Sequence, residues 1–171
     1  MKTTTTHHSI AIYGPEEVHQ KAMLIKPHLQ KAAVFYPDII GWFERTAIGG
    51  IWRNERAIIT VSHADRLAAF AILKHTRNES KICTFMVLES FRFSGVGTQL
   101  MKHCLSMFPG TMPGISISEE ALPPFLPLLK RFRFGMPLVH TSPYVRGIDE
   151  YVFDPCKRII PLPGNGYYYT V

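Results

Sequence analysis

The chain has 171 residues, 46% of them hydrophobic and 19% charged; that balance builds one domain with a proper core and excludes a disordered chain. No apolar run approaches the ~18 residues of a membrane span, and the opening MKTTTTHHSI lacks the apolar heart of a signal peptide, so no membrane partner and cytoplasmic residence are expected. A net charge of +6 and a pI near 9.3 favour polyanionic ligands, although charge of that size also serves solubility alone and leaves nucleic-acid binding the weaker expectation.

Residues 1–8 are polar and read as a flexible terminus; the His7–His8 pair has no companion ligands, so no metal site is expected. Ser9–Tyr13 alternates as a short first strand. Pro15 near a first helical position and Glu16–Glu17 at its positive end start a helix through about Leu29. Its inner face is Val18, Ala22 and Ile25, and Pro27 ends or bends its last turn. Pro37–Asp38 opens a second helix, rich in apolar residues such as Trp42 and Phe43, which Gly49–Gly50 stops. From Ala57 the pattern turns to strand. Ala57–Ser62 and Leu67–Lys74 form a hairpin, and His75–Lys81 leads into a third strand, Ile82–Leu88. Three strands with short turns predict an antiparallel meander.

The turn that follows, Arg92-Phe93-Ser94-Gly95-Val96-Gly97-Thr98, brings two glycines to the start of an amphipathic helix with Leu100, Met101, Cys104, Leu105 and Phe108 at helical spacing. Glycines there let several backbone N–H groups approach one ligand at the positive end of the helix dipole, an anion site suited to a diphosphate. A Walker A loop is excluded because Thr98-Gln99, not Lys and Ser or Thr, follows Gly97; the dinucleotide fingerprint lacks its third glycine.

Residues 109–114 read as a loop and Ile115–Ser118 as a strand. A helix starting at Ser118-Glu119-Glu120 is made irregular by Pro123, Pro124 and Pro127 and is clearest over Leu126–Phe134. Leu138–Val145 and Tyr151–Phe153 are the last strands, Pro143 marking an edge or a bulge. Residues 155–171 form an extension that ends near Tyr167-Tyr168-Tyr169. Cys83, Cys104 and Cys156 suit neither a disulfide framework nor a zinc site; Cys83 and Cys104 fall in apolar runs and read as core thiols.

The order of elements over residues 57–153, and above all Val87–Thr98 with its Arg92-x-x-Gly95-x-Gly97 pattern, resembles the GNAT superfamily of N-acetyltransferases. The resemblance implies a single α+β domain of the GNAT fold, a mostly antiparallel central sheet with a splayed strand pair and flanking helices. It implies acetyl-coenzyme A as co-substrate, with Met86, Val87 and Leu88 beside the pantetheine arm. The backbone N–H groups of Phe93, Ser94, Gly95, Val96, Gly97 and Thr98 would hold the pyrophosphate, Arg92 would add charge, and the Val87 N–H would polarise the thioester carbonyl. Where the family ends a helix in Gly-Phe, this chain has Arg133-Phe134. The place where many relatives carry a tyrosine falls on Leu129 or Phe125, and neither can donate a proton.

Tyr144 is the substitute acid, with His140 and the tail tyrosines as alternatives. No base stands out: Ile82–Leu88 holds no carboxylate, Glu89 falls at the turn, His63 and His75 flank the hairpins, and an ordered water would serve as relay. The expected function is acetyl-coenzyme A-dependent transfer of an acetyl group to a primary amine of a small molecule or protein, with a homodimer an allowed assembly. Two other readings stay open: a catalytically weak coenzyme A-binding sensor or interaction module, and a tRNA-directed toxin of the same fold, which the Lys130-Arg131-Arg133 cluster allows.

Overall fold

The computed structural model of the chain describes residues 8–155 and the backbone of 160–161 and 167–168. In chain order the described elements begin with β1 (His8–Tyr13) and α1 (Val18–Leu29), then a 3-10 turn over Gln30–Val34. A helical rod follows, made of α2 (Ile39–Trp42), a π segment (Phe43–Ala47) and α3 (Ile48–Trp52). Next come β2 (Arg56–His63), β3 (Arg66–His75), β4 (Ser80–Val87), α4 (Val96–Ser106), β5 (Gly114–Ser118), α5 (Leu122–Arg131), β6 (Leu138–Val145) and β7 (Ile148–Phe153). The tail adds a two-residue ribbon, β8 (Ile160–Pro161) against β9 (Tyr167–Tyr168). Tyr169 and Cys156 lie outside the described residues, as does His7.

Helix α1 ends at Leu29 as expected, with Pro27 in its last turn. The stop expected at Gly49–Gly50 does not occur: the rod continues through both glycines to Trp52. Gly50 has a packing role instead: a Cβ there would come within 2.5 Å of the Arg56 Cδ. The absent side chain makes room for the Arg56 stem, whose guanidinium carbon lies 5.6 Å from the Trp42 ring centroid.

The seven strands lie in the order β1-β2-β3-β4-β5-β7-β6. All neighbours are antiparallel except β4 and β5. Alternation sends one set of side chains to each face. Ile59, Val61, Ala69, Ile82, Ile115, Ile117 and Phe153 meet Val96, Leu100, Met101 and Cys104 of α4 and Leu129 of α5. Ile58, Phe70 and Ile72 meet Val18, Ile25 and Leu29 of α1 and Phe43 and Ile51 of the rod. Burial pushes the Cys104 thiol up to about 12, which keeps it an inert core residue.

Two irregularities shape the molecule. The parallel pair β4–β5 is joined only at Lys81↔Gly114 and Ile82↔Ile115, and the strands part beyond it. In the same region the β3–β4 register slips between Ile72 and Leu73: Leu73 faces Ile82 and Ile72 faces Thr84, which leaves Cys83 as an extra residue. On the edge strand β6, Pro143 sits where pairing with β7 is interrupted between His140 and Val145. This is the mixed α+β architecture, with a splayed strand pair, that the family resemblance implies.

A 3-10 turn over Glu119–Ala121 precedes helix α5, which starts four residues before its clearest expected part; Pro123 and Pro124 sit in its first turn, where no N–H is lost, and Pro127 lies inside it. It ends in a Schellman closure: the Phe134 N–H donates to the Leu129 carbonyl at 3.0 Å, and Arg133 adopts a left-handed φ of 59°. A left-handed residue with a Cβ is strained by about 1–2 kcal/mol, and the larger backbone entropy of an unfolded glycine offsets about 0.5–1 kcal/mol of any gain from removing it. Arg133→Gly is therefore expected to raise stability in urea unfolding by up to about 1 kcal/mol. A clear loss would mean that the arginine side chain supplies contacts outweighing its strain.

Candidate active site

The parting of β4 from β5 opens a cleft of roughly 1750 Å³ that runs from the turn before α4 to the far end of β2–β4. A pocket for one small ligand is commonly about 300–1,000 Å³, so this cleft has room for two reactants. Backbone phase decides what its wall offers. The Leu88 N–H donates to the Ala68 carbonyl at 2.9 Å, and Val87 faces Ala69 and Phe85 faces Ala71 in the register. Antiparallel pairs alternate between bonded and non-bonded, so Phe85 and Val87 are non-bonded on the β3 side and direct their N–H and C=O groups toward β5. With β5 splayed away, those groups face the cleft. The Thr84 Oγ, in the same wall, is buried without a hydrogen-bond partner among the described residues.

At one end of the cleft stands the glycine turn. The Ser94 hydroxyl donates to the Phe91 carbonyl at 2.6 Å, Phe93 and Gly95 take left-handed φ values of 60° and 88°, and the Gln99 N–H is the first to find a backbone acceptor, Gly95. Among the described residues, the N–H groups of Phe93 through Thr98 have no backbone acceptor and remain available at the positive end of the 11-residue helix α4. Gly97 packs against β4: a Cβ there would lie 3.3 Å from Val87 Cγ2. Arg92 and Phe93 are exposed, Phe93 to 96%, and both line the cleft, whereas the Val96 side chain is buried in the core.

Deeper in the split lies a polar cluster. On β5 and β7, Ile115, Ile117, Tyr151 and Phe153 turn toward α4 and α5, so Ser116, Ser118 and Glu150 face the opposite side. Glu150, only 3% exposed, accepts bonds from the Tyr36 hydroxyl at 3.0 and 3.2 Å. Burial pushes its carboxyl above the usual range; Tyr36, Ser116 and the charge of Lys81 act in the opposite direction. Tyr36 is itself raised, by burial and then by the Glu150 charge, so its phenol keeps its proton. The Tyr144 ring meets Tyr36 edge-on at 5.3 Å, and burial followed by the charges of Glu150 and Cys83 raises it too. Tyr36 and Tyr144 line the cleft.

The sequence model of the Acetyltransferase (GNAT) family matches residues 25–117, just over half of the chain. The chain belongs to that family. Its co-substrate is acetyl-coenzyme A, and the open N–H groups of the glycine turn and of the splayed strand are the donors that a diphosphate and a chain of amides require. No curated protein matches the sequence.

Solved GNAT structures share the fold at low identity. The ribosomal-protein-S18-alanine N-acetyltransferase of Escherichia coli is 14% identical with a TM-score of 0.65, over 95% of this chain and 100% of that one. Arabidopsis thaliana Naa50, in complex with the bisubstrate analogue CoA-Ac-MVNAL, is 18% identical with a TM-score of 0.56, over 84% and 96%. The PaiA N-acetyltransferase of Thermoplasma acidophilum, in complex with coenzyme A, is 14% identical with a TM-score of 0.53, over 83% and 98%. No helix among the described residues of this GNAT protein is long and apolar enough to cross a membrane.

The residues singled out from sequence converge here in part. Val87, Gly95, Gly97, Thr98, Arg92, Phe93 and Tyr144 all line the one cleft, as do Met86 and Leu88. The Leu88 N–H, however, is taken by Ala68, and the Met86 and Leu88 side chains pack on the α1 side. Leu129 is buried in the core, and Phe125 stacks edge-on against Phe85 at 5.7 Å. His140 faces Glu150 across β6–β7. Cys83 requires a correction: it is a cleft residue rather than a core thiol, and the Arg56 Nη1 donates to its sulfur at 3.0 Å. Burial raises the Cys83 thiol, and Arg56 acts against that rise. Sequence reasoning missed Tyr36 and Glu150 altogether. The one available signal for Glu150 was its alternation with Val152 on a half-buried strand, a carboxylate where an apolar residue would suit the pattern.

Proposed function

We propose that this protein is an acetyl-coenzyme A-dependent N-acetyltransferase acting on a primary amine, with Tyr36 and Glu150 carrying the proton and Tyr144 serving the sulfur. The supporting observation is that Tyr36 stands between the cleft and a buried carboxylate, across from a strand with open N–H groups. The glycine turn seats the diphosphate on backbone donors, Arg92 adds charge, and the Phe85 and Val87 backbone groups bond the pantetheine amides. The Val87 N–H polarises the thioester carbonyl as negative charge gathers on its oxygen.

Acetyl transfer then needs one proton removed from the ammonium of the acceptor and one supplied to the departing sulfur. The Tyr36 oxygen receives the amine proton as its own passes to Glu150, and the neutral amine attacks the acetyl carbon. Tyr144, its phenol protonated, gives a proton to the thiolate as the carbon–sulfur bond breaks. Raising the Glu150 carboxyl toward neutrality suits it to accept a proton and release it again in each turnover.

Ligand that binds only the folded state stabilises it by about 2.7 kcal/mol at a hundredfold excess over its dissociation constant, which for a domain of this size is roughly 5–10 °C in Tm. Acetyl-coenzyme A is expected to give a shift of that order in a thermal melt, and release of free thiol over a panel of amines is expected to follow. An unmoved Tm at millimolar coenzyme would overturn the reading. A shift with no thiol released by any amine would leave the coenzyme A-binding module as the better account.

A further inference from the structure

Beyond the polar cluster the cleft continues between the ends of three strands. Arg56 opens β2, Lys74 lies near the end of β3 and Lys81 near the start of β4; the register sets Arg56 opposite Lys74 and Lys74 opposite Lys81. Cross-strand partners share a face, so the three cations form a row across the sheet, and all three line the cleft. Glu79 pairs directly with Lys74 and feels the charges of Lys81 and Arg56 as well, so one carboxylate faces three cations. Arg56 is held in place by the Trp42 ring and by its bond to Cys83. Lys81 makes no ion pair among the described residues. Lys31, from the opposite wall, adds another positive charge. The charge of Lys81 is felt by Glu150, the one acid of the polar cluster, and the unpartnered Thr84 hydroxyl lies in the same cleft wall.

Positive charge is costly to assemble beside a site whose acceptor enters as an ammonium. A cleft meant for a polyamine or an aminoglycoside would repel its substrate there. The arrangement makes sense for a molecule with two unlike ends. Resting on the acetyltransferase reading above, we infer that the acceptor is a primary amine that also bears an anionic group, a carboxylate or a phosphate, which the Arg56–Lys74–Lys81 row holds while its amine meets Tyr36 and Glu150. The row of cations across three strands then sets both the polarity and the register of the substrate: the anion fixes one end, and the amine is left at the proton acceptor.

Four amines of matched length test this: 5-aminopentanoate, 5-aminopentyl phosphate, 1-aminopentane and 1,5-diaminopentane. Each is titrated calorimetrically into protein loaded with coenzyme A and, separately, assayed for acetylation. The two anionic amines are expected to bind at least tenfold more tightly than the neutral one, and the diamine most weakly; the better of the two anions identifies the group. Lys81→Gln should reduce the anionic-to-neutral preference at least tenfold, Lys81→Arg should keep it, and Lys81→Glu should reverse it in favour of the diamine. These are ratios within one variant, so any effect of Lys81 on Glu150 cancels. Binding that ignores charge, or prefers the diamine, overturns the inference, as does salt-dependent binding of tRNA without discrimination among the small amines. Charge-selective binding without acetylation of any amine would overturn the transferase reading and leave the anion row in place.

Discussion

Glu150→Gln is expected to lower kcat/KM for the acceptor amine by about 10²–10⁴, the range typical of a lost general base. The amide keeps the shape of the carboxylate and can still accept from the Tyr36 hydroxyl, so the loss would report the proton and not the packing. The pH profile supplies a second, independent reading. Burial holds the Glu150 carboxyl above the ordinary carboxylate range, and on the proposed mechanism it accepts no proton while it is protonated. The rate of the wild-type protein should therefore rise with pH through a limb lying above that range, and the limb should vanish in Glu150→Gln.

Stability should move the other way. With its folded pKa raised above the unfolded value, the group contributes stability that is full at acid pH and is lost as pH rises through the folded pKa. At pH 8 the substitution should then be neutral or stabilising in urea unfolding. A variant that is both inactive and strongly destabilised at pH 8 would assign Glu150 to the architecture and take the base away from this site.

The second large effect is expected at Gly97. Even one methyl would meet Val87 Cγ2 at 3.3 Å, and valine adds two more branches where the first turn of α4 comes against β4. Losing two or three charge-assisted bonds of about 1.5–3 kcal/mol each predicts a fall in coenzyme affinity on the order of a hundredfold or more. Calorimetric titration of folded Gly97→Val with coenzyme A, beside circular dichroism, measures it. A well-folded variant with unchanged affinity would remove the turn from the binding site. Because the neighbour that must yield is Val87, a partial shift should also slow acetyl transfer in whatever fraction binds. Gly95→Ala makes a useful contrast: nothing lies within 4 Å of its Cβ position, so only its left-handed φ is penalised.

The parts of this molecule that were legible beforehand are those governed by local rules. Apolar, β-capable runs bounded by short turns located β2, β3 and β4, and the two glycines located the start of α4, because run length and turn chemistry act over a few residues. The splay was an expectation of family resemblance, since nothing in Ile82–Leu88 or Ile115–Ser118 says that two strands part after two paired residues. Gly49–Gly50 misled for a related reason: as a local signal it ends a helix, whereas in the folded chain it makes room for Arg56, a residue from a different element.

Tyr36 and Glu150 are 114 positions apart in sequence and meet only through tertiary packing, so no spacing rule could have paired them. Tyr144 was reached from sequence for want of a better hydroxyl. Its contact with Tyr36 depends on the break in β6 pairing, which Pro143 announces without saying where the neighbouring ring will go. Arg133 carries the opposite lesson: a missing glycine looked like a departure from the pattern, yet arginine adopts the same left-handed turn and the helix closes as it would with glycine.

The extra residue Cys83 has a further consequence. Which way the Phe85 and Val87 donors point is a matter of parity, decided by the number of residues between the last shared pair of β4 and β5 and the first bonded pair beyond the slip. Substitutions along the strand leave that count alone, so a changed side chain in the cleft wall does not by itself turn the donors away. Deleting a single residue would turn either the donors or the side chains to the wrong face. The aim of the site is thus written in the length of β4 and not in its letters.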